Sequence, residues 1–316
     1  MVKPAASPQL RAALLMLASM VAFAMMAISI RLASRTEPTL EVAFFRNAFG
    51  LLTLLPMLLW PVLREGGGHP LARFIASLRT AQLPRYFIRC GIGLASMFCG
   101  FWAIGHLPMA QAISLAYSSP IFITIAAAVW LGERVRMRRW LAVAAGFLGV
   151  LVVVRPWSHA FSIGTLIAVA SAMTSAVVAI QIKQLSRVDK ADTIVFWTYA
   201  LWVPMSLLPA LFVWHAPQGI AWLWLLLCGL LGTIGQLLWT RALKLGEVSA
   251  LTPISFVQLP IVTFAGWLLF AERVDAMTLL GAGIILAATF YIAHREAALA
   301  RKAASLAPSE AAKPNE

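Results

Sequence analysis

Ten apolar runs dominate this sequence, and each is about as long as an α-helix that crosses a lipid bilayer. Such a helix needs roughly 20 apolar residues to span a hydrocarbon core of ~30 Å. Of the 316 residues, 61% are hydrophobic and only 12% are charged, and the mean hydropathy is +0.85. A water-soluble domain of this length needs far more polar surface. The sequence therefore predicts an all-α polytopic membrane protein.

The expected spans are joined by short connections, apart from a longer one at 61–84 that contains a candidate interfacial helix. They cover residues 11–34, 42–60, 85–105, 109–131, 138–155, 161–183, 191–214, 219–243, 248–271 and 276–294. The first run is longer than the core of a signal peptide, which favours a retained first helix.

The distribution of lysine and arginine predicts the orientation. With the N-terminus in the cytoplasm, 20 of these residues fall in cytoplasmic segments and four in external ones. Cytoplasmic connections are enriched in Lys and Arg, so both termini are expected on the cytoplasmic side of the inner membrane. The same bias accounts for the isoelectric point near 10.7 without a nucleic-acid partner.

An internal repeat divides the chain. The segments "SSPIFITIAAAVWLGERV" and "QLPIVTFAGWLLFAERV" share a proline, an apolar run and a closing Glu-Arg-Val, and an offset of 139 superposes that last triplet. The prolines miss by one position, which a single-residue gap reconciles. Because each half has five spans, the second half enters the membrane the opposite way round. We therefore expect two inverted five-helix repeats (5+5), at 1–156 and 157–294, and a cytoplasmic tail at 295–316.

In these features the chain resembles the drug/metabolite transporter superfamily, specifically its EamA-type ten-helix members. The resemblance covers nearly all of residues 12–294, and "EVAFFRNAFG" and "LGTIGQLLWTRALKLGEVSALTP" add to it. It implies a secondary carrier that works by alternating access around a cavity between the halves. Members of the superfamily include exporters and importers of amino acids, riboflavin, S-adenosylmethionine, metallophores and drugs.

Polar side chains share a face on each of the two spans that carry the repeat. They are Gln111, Ser114, Tyr117 and Ser118 on the fourth span, and Thr252, Ser255 and Gln258 on the ninth. Polar groups are costly toward lipid, so both faces should point into the bundle. Either they bind substrate in a shared cavity, or the small ones only allow close helix packing. Pro120 and Pro260 are predicted to kink these spans and to act as hinges.

Arg46 lies about one turn inside the second span. Three arrangements are open: its guanidinium snorkels outward, binds a carboxylate or phosphate of the substrate, or pairs with Glu41. Further candidate substrate contacts, each with helix packing as the alternative, lie inside other spans. They are Trp102, Gln181, Trp197, Tyr199, Gln236 and Trp239.

No carboxylate or imidazole lies at the middle of a span, where a proton relay is expected. The sequence shows no catalytic motif, metal-ligand spacing or cofactor site. The leading hypothesis is a metabolite transporter, monomeric or homodimeric, in contact with the lipid bilayer and a small-molecule substrate. Export of an amino-acid-like, metallophore or drug-like compound is favoured over import of a compound such as riboflavin or S-adenosylmethionine. A membrane-embedded transferase and a channel are the less favoured alternatives.

Overall fold

The computed structural model describes residues 8–64, 70–130, 137–157, 162–185, 188–245, 251, 254 and 256–310, and within these ranges it contains helices and no β-strand. The helices, numbered in chain order, are α1 (Pro8–Ala33), α2 (Thr39–Arg64), α3 (Pro70–Ser77), α4 (Leu83–His106), α5 (Met109–Ala116), α6 (Ser119–Trp130), α7 (Met137–Val154), α8 (Ile163–Leu185), α9 (Ala191–Leu211), α10 (Ala221–Leu245), α11 (Gln258–Phe270) and α12 (Ala276–Glu310).

These helices have the length and composition of membrane spans. Seven stretches of at least 18 residues, in α1, α2, α4, α5 with α6, α8, α9 and α10, are apolar enough to cross a bilayer. Three shorter apolar stretches lie in α7, α11 and α12. Large apolar side chains such as Leu52, Leu148 and Phe264 are exposed on the outer faces of their helices. The chain is therefore a multi-pass helical membrane protein, as predicted.

The helices pair across the chain rather than along it. α1 packs along α10, α4 along α8, α7 along α12, and α2 along both α9 and α10. If each helix of the first half is replaced by its counterpart in the second, α1 by α8 and α4 by α10, the pair α1–α10 becomes the pair α8–α4. The pairs α7–α12 and α2–α9 each consist of two counterparts, so they stay the same. The main contacts thus follow an approximate two-fold pattern.

Two breaks interrupt the helices at matching positions. α5 ends at Ala116 and α6 begins at Ser119, so residues 117–118 form a turn. Residues 256–257 form a second turn directly before α11. The two turns lie 139 positions apart, which is the offset of the internal repeat. The two turns therefore align at the repeat offset directly, whereas aligning the two prolines requires a single-residue gap.

Pro120 and Pro260 begin helices rather than bend them. Pro120 is the second residue of α6, and Pro260 is the third residue of α11. Amides of the first helical turn have no intrahelical acceptor, so proline loses no hydrogen bond there. The distortion within 109–131 therefore falls at residues 117–118, where α5 passes into α6 through a short turn in which Tyr117 keeps right-handed helical torsions.

α7 and α12 approach each other closely because glycines face across their crossing. A Cβ added to Gly281 would lie 2.8 Å from the carbonyl oxygen of Gly149, and one added to Gly149 would lie 3.0 Å from that of Gly281. The two backbones are therefore in direct contact, as small residues permit between membrane helices. α12 continues to Glu310, beyond the expected end of its span at 294.

Candidate substrate site

The two helix breaks meet inside the bundle. The hydroxyl of Tyr117 donates to Oε1 of Gln258 across 3.3 Å, and its ring packs edge to face on Phe256 with centroids 5.4 Å apart. The carbonyl oxygen of Tyr117 accepts a hydrogen bond from Thr289 Oγ1 at 3.2 Å. That bond satisfies a backbone acceptor which the broken helix would otherwise leave exposed. Two residues predicted on separate spans are thus in direct contact.

Ser114 and Ser118 lie on the same segment but are buried. Their hydroxyls donate to backbone carbonyls of the preceding turn, at 2.5 and 2.6 Å. In this conformation both side chains stabilise their own helix end, so their role in substrate binding stays a prediction. Thr252 and Ser255, which were predicted beside Gln258, lie outside the described residues.

Arg46 points inward and lines a cavity of about 350 Å³ together with residues of α4, α8 and α9. Its Cζ lies 5.2 Å from the ring centroid of Tyr199 and 5.7 Å from that of Trp202, within cation–π range. Nη1 donates to Oδ1 of Asn47 at 3.0 Å, whereas Nε is buried without a partner. The volume falls in the range of small-molecule sites.

Glu41 does not pair with Arg46, although the sequence left that pairing open. The Glu41 side chain is fully buried, and its Oε1 accepts a hydrogen bond from the backbone N–H of His215 at 2.6 Å. The carboxylate therefore holds the connection that follows α9. The guanidinium of Arg46 instead contacts the aromatic rings of α9 and lines the cavity.

Serine hydroxyls form the polar part of the opposite cavity wall. Ser96 Oγ lies 2.7 Å from Ser175 Oγ and donates to the carbonyl oxygen of Ser171 at 2.9 Å. Ser171 Oγ donates to the carbonyl oxygen of Ser96 at 2.8 Å, which ties α4 to α8. The rest of this wall is apolar and includes Met97 and Ile104. The cavity thus combines a cation, hydroxyl groups and an apolar surface.

Arg89 is a second buried cation beside this cavity, and the sequence analysis missed it. The residue is 5% exposed, and its Cζ lies 6.0 Å from the ring of Trp202. Nη1 donates to Thr198 Oγ1 and lies 3.8 Å from Cys90 Sγ, while Nε has no partner. The count of 20 cytoplasmic Lys and Arg residues includes Arg89, although it falls within the expected span 85–105. Its position inside an apolar run was the available signal.

Arg31 closes the end of the bundle at which α1 ends. Its Nη1 donates to the carbonyl oxygens of Ile104 at 2.8 Å and Leu107 at 3.1 Å, and its Nη2 lies 2.9 Å from Glu272 Oε1. Oε2 of Glu272 accepts the N–H of Met109 at 2.8 Å and so caps α5. One arginine and one carboxylate therefore join α1, α4, α5 and the residues after α11.

A smaller cavity of about 190 Å³ lies at this same end and contains Gln111. Nε2 of Gln111 donates to the carbonyl oxygen of Val153 at 3.4 Å. Arg155 and Asp275, which both line this cavity, form an ion pair. Gln111 is thus separate from the Arg46 cavity in this conformation, and its contact with substrate stays a prediction.

The remaining aromatic candidates lie at three separate places. Trp102 stacks on His106 with ring centroids 4.3 Å apart. Nε1 of Trp197 donates to the carbonyl oxygen of Leu78 at 2.7 Å, which anchors the segment after α3. Trp239 is 37% exposed. These contacts are typical of packing, and none of the three side chains lines the Arg46 cavity.

The amide candidates and Tyr199 differ in their surroundings. Gln181 lines a cavity between α4 and α8, and its Oε1 is buried without a partner. Gln236 is half-buried, and its backbone carbonyl accepts the hydroxyl of Thr240 at 2.8 Å. The hydroxyl of Tyr199 lies 3.2 Å from Thr233 Oγ1, which joins α9 to α10. Tyr199 therefore connects α9 to α10 through its hydroxyl and contacts the guanidinium of Arg46 through its ring.

The described part of the chain offers no three neighbouring His, Cys, Asp or Glu side chains that could hold a metal ion. Cys90, Cys99 and Cys228 are unpaired thiols within helices. The polar groups that face this interior are arginines, hydroxyls and amides, beside aromatic rings.

The EamA-like transporter family model matches residues 10–155 and 162–293. The chain belongs to the EamA-like transporter family. A riboflavin transporter of Vibrio cholerae serotype O1 is 30% identical over 272 residues, which are 85% of this chain and 88% of that protein. A pseudopaline exporter of Pseudomonas aeruginosa is also 30% identical over 272 residues, covering 84% and 90% of the two chains.

A solved crystal structure shares this EamA-like fold at 19% sequence identity, with a TM-score of 0.59 over 88% of this chain and 94% of that chain. The family and the named relatives indicate a transporter of small molecules rather than an enzyme. For an EamA-like transporter, an inward-facing arginine in a cavity of this size is a natural candidate for substrate contact.

Proposed function

We propose that this chain is a secondary carrier that moves a small organic metabolite across the inner membrane by alternating access. A recurring hydrogen bond carries the proposal. Ser19 Oγ donates to the carbonyl oxygen of Gly235 at 2.8 Å, just as Ser171 Oγ donates to that of Ser96 at 2.8 Å. Ser171 follows Ser19 by 152 residues, and Gly235 follows Ser96 by 139. The longer offset reflects the connection in the first half that contains α3.

The recurring bond, the paired breaks and the two-fold helix contacts support two inverted repeats at 1–156 and 157–294, followed by the tail at 295–316. Carriers built from inverted repeats bind substrate between the repeats and expose the site alternately to each side. We place the substrate in the Arg46 cavity, with Tyr117 and Gln258 at the junction of the two repeats. The other predicted contacts and the hinge roles of the prolines remain part of this proposal.

Export is our first candidate for the direction of transport, with both termini in the cytoplasm. The similarity to the pseudopaline exporter supports it. Uptake of a riboflavin-type compound is the second candidate, because a riboflavin transporter matches with the same identity and similar coverage. Both directions use the same cavity, so they differ in coupling and not in the site.

Two experiments test the carrier function. Metabolite profiles of cells with and without the gene should differ in one compound class, and the sign of the difference gives the direction. The purified chain in proteoliposomes should then catalyse saturable counterflow of that compound. Non-saturable conductance would indicate a channel, and chemical conversion of the compound would indicate an enzyme.

A further inference from the structure

We propose that the substrate is an organic anion. Arg46 on α2 and Arg89 on α4, which both lie beside Trp202, supply its positive counter-charge. This inference deepens the proposed carrier function and rests on it. Both guanidinium groups lie within 6.0 Å of the Trp202 ring centroid, and Trp202 itself lines the Arg46 cavity.

Neither cation has an anionic partner among the residues that the structure describes. Arg46 and Arg89 form no ion pair with any Asp or Glu of the described chain. Arg46 bonds to the amide of Asn47, and Arg89 bonds to the hydroxyl of Thr198. Asp189, an acid near the start of α9, accepts hydrogen bonds from Thr80 and Tyr86 instead.

Unpaired cations inside a membrane protein are costly and typically mark the path of a substrate or ion. Each of the two guanidinium groups also keeps a buried Nε–H without an acceptor. A guanidinium presents its donors in a fork that matches a carboxylate or phosphate. The free Nε–H of Arg46, which lines the cavity, and the uncompensated positive charge therefore both point to an anionic ligand group.

The rest of the cavity restricts the body of the ligand. Trp202 and the apolar wall around Met97 and Ile104 suit an aromatic or apolar framework, and the serine cluster adds hydroxyl contacts. The two arginine cations repel a positively charged substrate. The interior thus favours an aromatic or apolar acid over a sulfonium cation such as S-adenosylmethionine.

Arg46 and Arg89 have different roles in this proposal. Arg46 lines the cavity and contacts the anionic group directly. Arg89 lies behind the Trp202 ring, whose Nε1 donates to the carbonyl oxygen of Cys90 at 3.0 Å. Arg89 is therefore a positioning residue that holds α9 through Thr198 and adds to the positive potential of the cavity.

The test uses matched ligands that differ in one charged group. Riboflavin is compared with riboflavin 5′-phosphate, and nicotinamide with nicotinate, by equilibrium binding to the purified full-length chain in detergent. We expect the charged member of at least one pair to bind about tenfold more tightly, or ~1.4 kcal/mol. Arg46→Gln should reduce the preference to less than about threefold, and Arg89→Gln should reduce it partly. Arg11→Gln, at an exposed position of α1, should leave it unchanged.

Equal binding of both members of each pair, failure of both acids to bind, or an unchanged preference in Arg46→Gln would overturn the inference. Thermal unfolding without ligand shows whether each variant is folded, and Arg46→Lys keeps the charge if Arg46→Gln does not fold. Saturable counterflow of a neutral or cationic metabolite would leave the carrier function standing and refute the anionic class. Absence of saturable counterflow for every metabolite would refute the carrier function itself.

Discussion

Tyr117 and Phe256, which lie 139 positions apart at the two helix breaks, pack edge to face with an interplanar angle of 83°. Residues at matching positions of an inverted repeat touch each other only close to the two-fold axis that relates the repeats. In the two-repeat architecture that we propose, this contact marks where the axis passes. A group at that position would stay between the repeats whichever side of the membrane is open.

The hydrogen bond between Tyr117 and Gln258 should contribute to substrate affinity. Tyr117→Phe removes the hydroxyl but keeps the ring contact with Phe256, so the fold should remain intact. Loss of one hydrogen bond of about 0.5–1.5 kcal/mol corresponds to a roughly two- to tenfold weaker affinity. Counterflow titrations of Tyr117→Phe and Gln258→Ala measure the change. Unchanged affinity in both variants would remove these residues from the site.

The prolines at the helix breaks should control turnover more than affinity. Pro120→Ala and Pro260→Ala restore an amide N–H and favour a continuous helix, which stiffens the joint. We expect transport to slow severalfold, with little change in the substrate concentration at half-maximal rate. Initial rates of counterflow in proteoliposomes separate the two quantities. Normal transport in both variants would make the prolines packing features only.

The contact between α7 and α12 should not tolerate a single added methyl group. Gly281→Ala would place Cβ 2.5 Å from Val153 Cγ2 as well as against the backbone of α7. Such overpacking costs about 1–3 kcal/mol and should lower the thermal unfolding temperature of the purified chain. Gly283→Ala, on the same helix and with no atom of another helix within 4 Å of the added Cβ, is the matched control. It should be neutral or stabilising.

The ion pair between Arg31 and Glu272 should couple the helices it joins. The single variants Arg31→Gln and Glu272→Gln and the double variant form a thermodynamic cycle for unfolding. Both side chains are largely buried, so we expect a coupling free energy of about 1 kcal/mol. Arg273→Gln removes a neighbouring exposed charge and should change stability little. Additive effects of the two single variants would show that the pair contributes nothing of its own.

The sequence predicted the helical membrane fold, the superfamily and the proline-marked segments, because composition and repeat spacing can be read from the sequence without knowledge of the packing. It predicted a bend at Pro120, whereas the helix breaks at residues 117–118, where the carbonyl oxygen of Tyr117 is bonded by Thr289, a partner distant in sequence. Burial is equally non-local. The hydroxyls of Ser114 and Ser118 share a face with Tyr117, yet bonds to their own helix occupy them.

The arginines show the same limit more clearly. For Arg46 the sequence offered three arrangements, and only the position of α9 distinguishes among them. The sequence places Arg89 among the charges that orient the chain in the membrane, since a cation six residues after the start of a helix commonly has that role. Its burial against Trp202 arises from the packing of α4 on α9, which no local pattern encodes.

The pairing of α1 with α10 and of α4 with α8 has a consequence for how the protein is made. During synthesis, the first helix enters the membrane long before its main partner has been translated. Until then, Ser19 lacks the carbonyl oxygen that it meets in the finished chain. Helices from the two ends of the chain thus pack on one another, and the N-terminal helices cannot reach their final packing until the ribosome has delivered most of the C-terminal ones.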